Sequence, residues 1–164
     1  MSTLSPQAYH KIKYYEYNGY LHDQISNKYN SKGKLLETYS TNTGIKENYT
    51  YNENGFLIQI KRTKGNNLNF NCFYKNNAKG KPIEAKWYDN TNKLTQTQTF
   101  KYDDNNNLTE ETRCNANNSI SIKFIITYKY DNNNWIEKNV QKINYPGETL
   151  DYQSYVIVRK IEYF

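Results

Sequence analysis

The chain has 164 residues and a formal net charge of +6, and only 36% of its residues are hydrophobic, with a mean hydropathy of −1.06. That length fits one domain, residues 1–164, and excludes two ordinary ones. So polar a chain would read as disordered but for its eighteen Tyr, which bring aromatic content to 16%; a Tyr buries a ring while its hydroxyl stays wet, so aromatic ladders can hold a sheet that still looks hydrophilic.

In chain order, Met1 to Tyr15 holds no apolar run of signal-peptide length and no later segment approaches a membrane span, so a cytoplasmic location without membrane contact is expected. Ile12 to Tyr17 reads as a first edge strand, and Tyr17-Asn18-Gly19-Tyr20-Leu21 as a shortened turn unit. Tyr29 to Leu35 is a full unit, followed by a weaker turn at Thr41 to Gly44 and a strand at Ile45 to Tyr51. Tyr49-Thr50-Tyr51-Asn52-Glu53-Asn54-Gly55-Phe56-Leu57 then sets the pattern that the rest of the chain repeats. A strand at Phe56 to Lys61 leads to a weak turn at Thr63 to Asn67, and Tyr74 to Pro82 forms a unit with two extra residues before Gly80. Tyr88 to Leu94 keeps the spacing. A strand at Thr95 to Lys101 overlaps the next unit, Phe100-Lys101-Tyr102-Asp103-Asp104-Asn105-Asn106-Asn107-Leu108. After a weak turn at Asn115 to Ser119, the strand Ile120 to Tyr130 runs into Tyr128-Lys129-Tyr130-Asp131-Asn132-Asn133-Asn134-Trp135-Ile136. A last weak turn at Tyr145 to Glu148 precedes an unusually apolar final strand, Tyr152 to Phe164.

In most units a Gly or Asn four residues after the Tyr can take positive φ and close a tight turn, which makes the flanks strands. The turns imply about twelve strands and no helical periodicity interrupts them. Connections this short pair only sequential neighbours, so the fold class is all-β: an antiparallel meander of about twelve hairpin-repeat strands, as a strongly twisted open sheet, a partial shell or a barrel. Tyr pairs two apart, such as Tyr49 with Tyr51 and Tyr128 with Tyr130, share a strand face, which is the expected core. Trp87 precedes Tyr88 and so points to the opposite side.

The repeat resembles the YD repeat of RHS-type proteins, whose unit reads Tyr-x-Tyr-Asp-x-x-Gly-Arg-Leu. It is clearest at 49–57, 100–108 and 128–136, with Asp89, Asp103 and Asp131 matching the Asp and Asn18, Asn30 and Asn52 in its place. The Arg is replaced by Lys34, Phe56, Lys93, Asn107 or Trp135. In that family long arrays wind into β-shells around toxin domains, and related proteins are described as carbohydrate-binding or cell-surface proteins. A short array is expected to bind a partner rather than enclose one.

Catalytic chemistry finds no residues to carry it. His10 and His22 lack metal-ligand spacing to any Cys, Asp or Glu, and Cys72 and Cys114 read as separate reduced thiols. Asp103 with Asp104 reads as turn chemistry, and Glu110 with Glu111 as a pair split across the two faces of a strand. Neither an enzyme nor a cofactor is expected. The residues just after each turn, Tyr20, Lys34, Phe56, Lys93, Asn107 and Trp135, would form a row if the units stack in register, and five of them, Tyr20, Lys34, Phe56, Lys93 and Trp135, form the candidate contact row. Aromatics beside a turn also serve simply to cap a core. These features point to a protein-binding module, an immunity protein that neutralises a cognate interbacterial toxin through an acidic contact surface on the toxin; the alternative is a carbohydrate- or cell-surface-binding module. Scattered lysines disfavour nucleic acid, and the apolar strand Tyr152 to Phe164 suits a homodimer.

Overall fold

The computed structural model describes residues 9–17, 20–131, 134–145 and 151–159, with side chains described from residue 24 onward. Twelve strands follow one another: β1 (Tyr9–Tyr17), β2 (Tyr20–Tyr29), β3 (Leu35–Ser40), β4 (Ile45–Tyr51), β5 (Leu57–Lys64), β6 (Asn67–Asn76), β7 (Pro82–Tyr88), β8 (Leu94–Tyr102), β9 (Leu108–Asn115), β10 (Ile120–Asp131), β11 (Asn134–Asn144) and β12 (Asp151–Val158). Their order in the sheet is their order in sequence, from β1 to β12 without a return to β1, so the meander is present and no barrel closes. Among the described residues there is no helix, hence none long and apolar enough to cross a membrane. The chain divides into two compact units, Met1–Lys81 with Trp87–Lys93, and Pro82–Lys86 with Leu94–Phe164.

Among the described residues, six hairpins share one local design. The Asx residue that follows the Tyr donates its N–H to the carbonyl four residues on and accepts from the N–H three residues on. Asn52 does so with Phe56 and Gly55 at 2.9 Å each, and Asn30, Asn77, Asp89, Asp103 and Asn115 repeat both bonds. The third residue after the Asx is left-handed in every case, Gly55 at φ 76° and Asn92, Asn106 and Asn118 at 61°, 65° and 66°; Asn pays least among residues with a side chain for that conformation. The turn at Asn115 therefore has the geometry of the strong units. The unit at Gly80 has no insertion: its acceptor is Asn77, three residues before Gly80, so Asn76 stands where most units have Tyr, as Cys114 does before Asn115.

A second regularity lies in the strands. The pairing slips by one residue just before Tyr29, Tyr51, Tyr102 and Tyr130, which leaves Leu36, Ile58, Thr109 and Ile136 on the outgoing strands without a partner in that pairing. Such bulges bend the strand and sharpen its twist.

In the first unit the register aligns Asn27, Thr38, Glu47, Arg62 and Phe70 across β2 to β6. Arg62 Nε donates to Glu47 Oε1 at 2.9 Å, its guanidinium lies 4.7 Å from the Phe70 ring, and Phe70 packs against Trp87 at 4.9 Å. Tyr49 adds its hydroxyl to Glu47 Oε2 at 2.6 Å. An ion pair that carries its own hydrogen bonds and ring stacking stands here in place of an aliphatic layer. On the opposite face of β6, Phe73 meets Tyr88 edge-on at 5.8 Å, so Trp87 and Tyr88 do point to opposite sides.

The fully buried side chains are not the tyrosines. Among the described residues Cys72 and Ala85 are fully enclosed, Val140 nearly so, and Asn27, Ile126 and Ile143 are buried, while Tyr49, Tyr51, Tyr128 and Tyr130 are half-buried. The most enclosed positions, Cys72, Ala85 and Val140, are thus small or aliphatic rather than tyrosine, because a phenol keeps its oxygen near a polar partner. Among the described residues no buried side-chain nitrogen or oxygen lacks one.

Candidate contact surface

The turns build a rim, and the Tyr of the repeat ties that rim to the neighbouring hairpin. In the first unit Tyr51 donates its hydroxyl to the Leu35 carbonyl at 2.8 Å, reaching across β4 to the start of β3. In the second, Tyr102 donates to the Pro82 carbonyl at 2.8 Å and Tyr128 to the Leu108 carbonyl at 3.0 Å. Each bond satisfies a carbonyl at the first residue of a strand, beside the turn. Tyr130, which occupies the same sequence position as Tyr51 and Tyr102, instead donates to Asp103 Oδ2 and accepts from Asn107 Nδ2 at 2.8 Å.

Within the turns, side-chain oxygens bind the loop backbone. Asn30 Oδ1 accepts from the N–H groups of Lys32 and Lys34 at 3.0 and 2.9 Å, Asn77 Oδ1 from Lys79 and Lys81 at 3.0 Å each, and Asp89 Oδ1 from Thr91 and Lys93 at 2.8 and 3.0 Å. The Thr91 hydroxyl, then the two backbone N–H groups, hold the Asp89 carboxyl below its ordinary value. These are Asx turns, in which the side chain mimics a backbone acceptor.

The candidate contact row is divided between the units. Tyr20, Lys34, Phe56 and Lys93 belong to the first and Trp135 to the second. Tyr20 opens β2 opposite Tyr17, and its side chain lies outside the described set. Lys34 and Lys93 are exposed, Phe56 and Trp135 half-buried. Lys34 reaches toward the next hairpin, its Nζ 5.8 Å from the Tyr51 ring and its chain end against Gly55. Phe56 does the same one hairpin later, with its ring so near Gly80 that a Cβ there would sit 2.6 Å from it. Trp135 carries the Arg159 guanidinium 4.1 Å from its ring and packs against Tyr128 at 6.2 Å. Asn107 holds Tyr130, as above. Lys34, Phe56, Asn107 and Trp135 thus lean on a neighbouring hairpin or strand end, a role that the sequence leaves as one of two readings.

Charge on the sheet faces is paired locally. In the second unit Glu110 bridges Lys101 and Lys123 at 2.9 and 3.0 Å, and the Lys101 hydrogen bond is the largest cause that holds its carboxyl below the ordinary value. Glu111 pairs with Arg113 at 2.6 Å, with the two glutamates on opposite faces as their alternation requires. Cys72 and Cys114 are free thiols; burial pushes the Cys72 thiol up to about 11, which keeps it protonated and inert near neutrality. Among the described residues no three His, Cys, Asp or Glu side chains group in a way that could hold a metal ion.

Fold and rim together define a meander of Asx-closed hairpins with a hydrogen-bonded rim. No family model matches the sequence, and no curated protein matches it. Among solved structures, the chain is similar to the crystal structure of TcdB2-TccC3-Cdc42 at 17% identity with a TM-score of 0.48. The match covers 92% of this chain and 9% of that one, so this chain spans a small part of its length, and neither value reaches the level at which a shared fold follows.

Proposed function

We propose that this chain is a non-catalytic, YD-repeat-like protein-binding module, an immunity protein that holds and neutralises a cognate interbacterial toxin in the cytoplasm. The observation that supports it most is the rim of the first unit, where turns of one geometry present Lys34, Phe56 and Lys93 at the same position of the repeat. Lys34 and Phe56, each resting against the glycine of another turn, have less freedom to lose on binding, and such ordering is one cost of a protein contact. The lysines and the net charge of +6 suit a partner with an acidic contact surface. The resemblance of Tyr49 to Leu57 and its copies to RHS-type repeats supplies the toxin context, by analogy.

Sugar stacking on Phe56 and Trp135 fits less well, because Gly80 backs the Phe56 ring and Arg159 covers a face of Trp135. Co-expression with the toxin encoded in the neighbouring reading frame, followed by pull-down, tests the proposal. A complex weakened at least tenfold by Lys34→Glu with Lys93→Glu supports it. No complex, with retention on a glycan array instead, would replace it by the sugar-binding reading.

A further inference from the structure

The last strand is unlike its neighbours. Along the row Ile126, Val140 and Tyr155, exposure goes from 6% and 2% to 52% in one step. On the other face of β12, Val156 and Val158 are 58% and 72% exposed, and every residue from Asp151 to Val158 is exposed. Natural edge strands are blunted with Lys, Pro, inward charge or a bulge. The strand Asp151-Tyr152-Gln153-Ser154-Tyr155-Val156-Ile157-Val158 has no Lys and no Pro, and its register with β11 runs without a shift.

Its backbone is also oriented for pairing. The Arg159 N–H bonds the Ile136 carbonyl at 3.0 Å, and in an antiparallel ladder hydrogen-bonded positions alternate. The N–H and C=O groups of Tyr152, Ser154, Val156 and Val158 therefore point away from β11, toward the open edge.

We propose that β12 pairs with β12 of a second copy of this chain, antiparallel, about a two-fold axis through Tyr155. The strand's own charges select both partner and register. It carries one acid at its start, Asp151, which accepts from Asn144 Nδ2 at 2.8 Å with its other oxygen left over, and one base just past its end, Arg159, whose guanidinium lies beside the Trp135 ring. Centring on Tyr155 places Asp151 opposite Arg159 of the second copy at both ends, and slipping by one step either way breaks both pairs. The same register sets Tyr155 against itself, Gln153 against Ile157 and Tyr152 against Val158, so apolar side chains left bare on each face gain cross-strand neighbours. It also makes the outward-pointing residues, Ser154 with Val156 and Tyr152 with Val158, the hydrogen-bonded pairs, as their orientation demands. Self-complementarity of this kind marks an isologous interface.

Size-exclusion chromatography with light scattering on the full chain, over a concentration series, tests the pairing. The expected mass is twice 19.6 kDa for the wild type and 19.6 kDa for both Tyr155→Lys and Tyr155→Glu, each of which opposes its own charge across the axis. An equimolar mixture of the two variants restores the doubled mass, because unlike charges then meet. A wild type of single mass up to about 1 mM, a Lys variant that stays dimeric, or a mixture that stays monomeric overturns the proposal. Should either Tyr155 variant lose its circular dichroism, Tyr152→Lys with Val158→Lys, and the matching pair of Glu substitutions, repeat the test, because positions 152 and 158 face each other across the axis.

Discussion

The hairpin closed by Asn52 and the one closed by Asn77 use different residues for the same bonds. At the first, Tyr51 sends its hydroxyl to the Leu35 carbonyl; at the second, Asn76 sends its Nδ2 to the Leu57 carbonyl at 2.8 Å. Both span to the first residue of the strand before. The repeat therefore preserves a donor at the end of the incoming strand and an acceptor at the turn, and the aromatic ring is one way to deliver the donor. The two differ in what backs the glycine: a flexible lysine stands over Gly55 and a rigid phenyl ring over Gly80.

The largest expected difference between the two hairpins comes from adding a methyl group at each glycine. Gly80→Ala forces a left-handed alanine and drives its Cβ into Phe56, for a loss of about 2–3 kcal/mol, whereas Gly55→Ala meets only the movable end of Lys34 and costs about 1 kcal/mol. Urea denaturation of both variants measures the gap, and equal losses would remove Phe56 from its place on Gly80. Next in size, Tyr51→Phe keeps the ring and removes the donor, leaving the Leu35 carbonyl short of a partner for about 1 kcal/mol. Asn76→Ala should cost as much; a neutral result at either position would show water taking the donor's place. Asn77→Ala removes two bonds to the loop backbone, for about 1 kcal/mol, read as faster amide exchange at Lys79 and Lys81.

The smallest effect separates the Asn77 turn from the Asp89 turn by pH. The fold holds the Asp89 carboxyl below its ordinary value, so the ionised form is the one the turn prefers. That contribution is complete above the ordinary aspartate range and is lost as pH falls through the lower folded value. Protection of the Thr91 and Lys93 amides should weaken on acidification, while that of Lys79 and Lys81, bound to an amide oxygen, stays level. Asp89→Asn should abolish the difference.

Much of this was legible in the residues. Tyr-Asn or Tyr-Asp followed by Gly or Asn located the hairpins, and the short spacing between them forced sequential antiparallel pairing. Spacing counted from the Tyr makes Asn115 to Ser119 look weak and gives Gly80 two extra residues, because the closing bonds follow the Asx and not the Tyr. The Asx preference for accepting from the following backbone could have found both. The contact row was legible as a row and not as a set of contacts, since nothing in the spacing of Phe56 and Gly80 says that a ring on one hairpin rests on the turn of another.

By itself the sequence determined the strand count, the strand order and the places where the backbone turns left-handed, because these depend on interactions within a few residues. Only the tertiary structure decided which carbonyl each Tyr hydroxyl satisfies, and that the most enclosed side chains are Cys72, Ala85 and Val140 rather than the tyrosines. Those outcomes depend on register, and register is set by one-residue bulges that leave no mark in local composition.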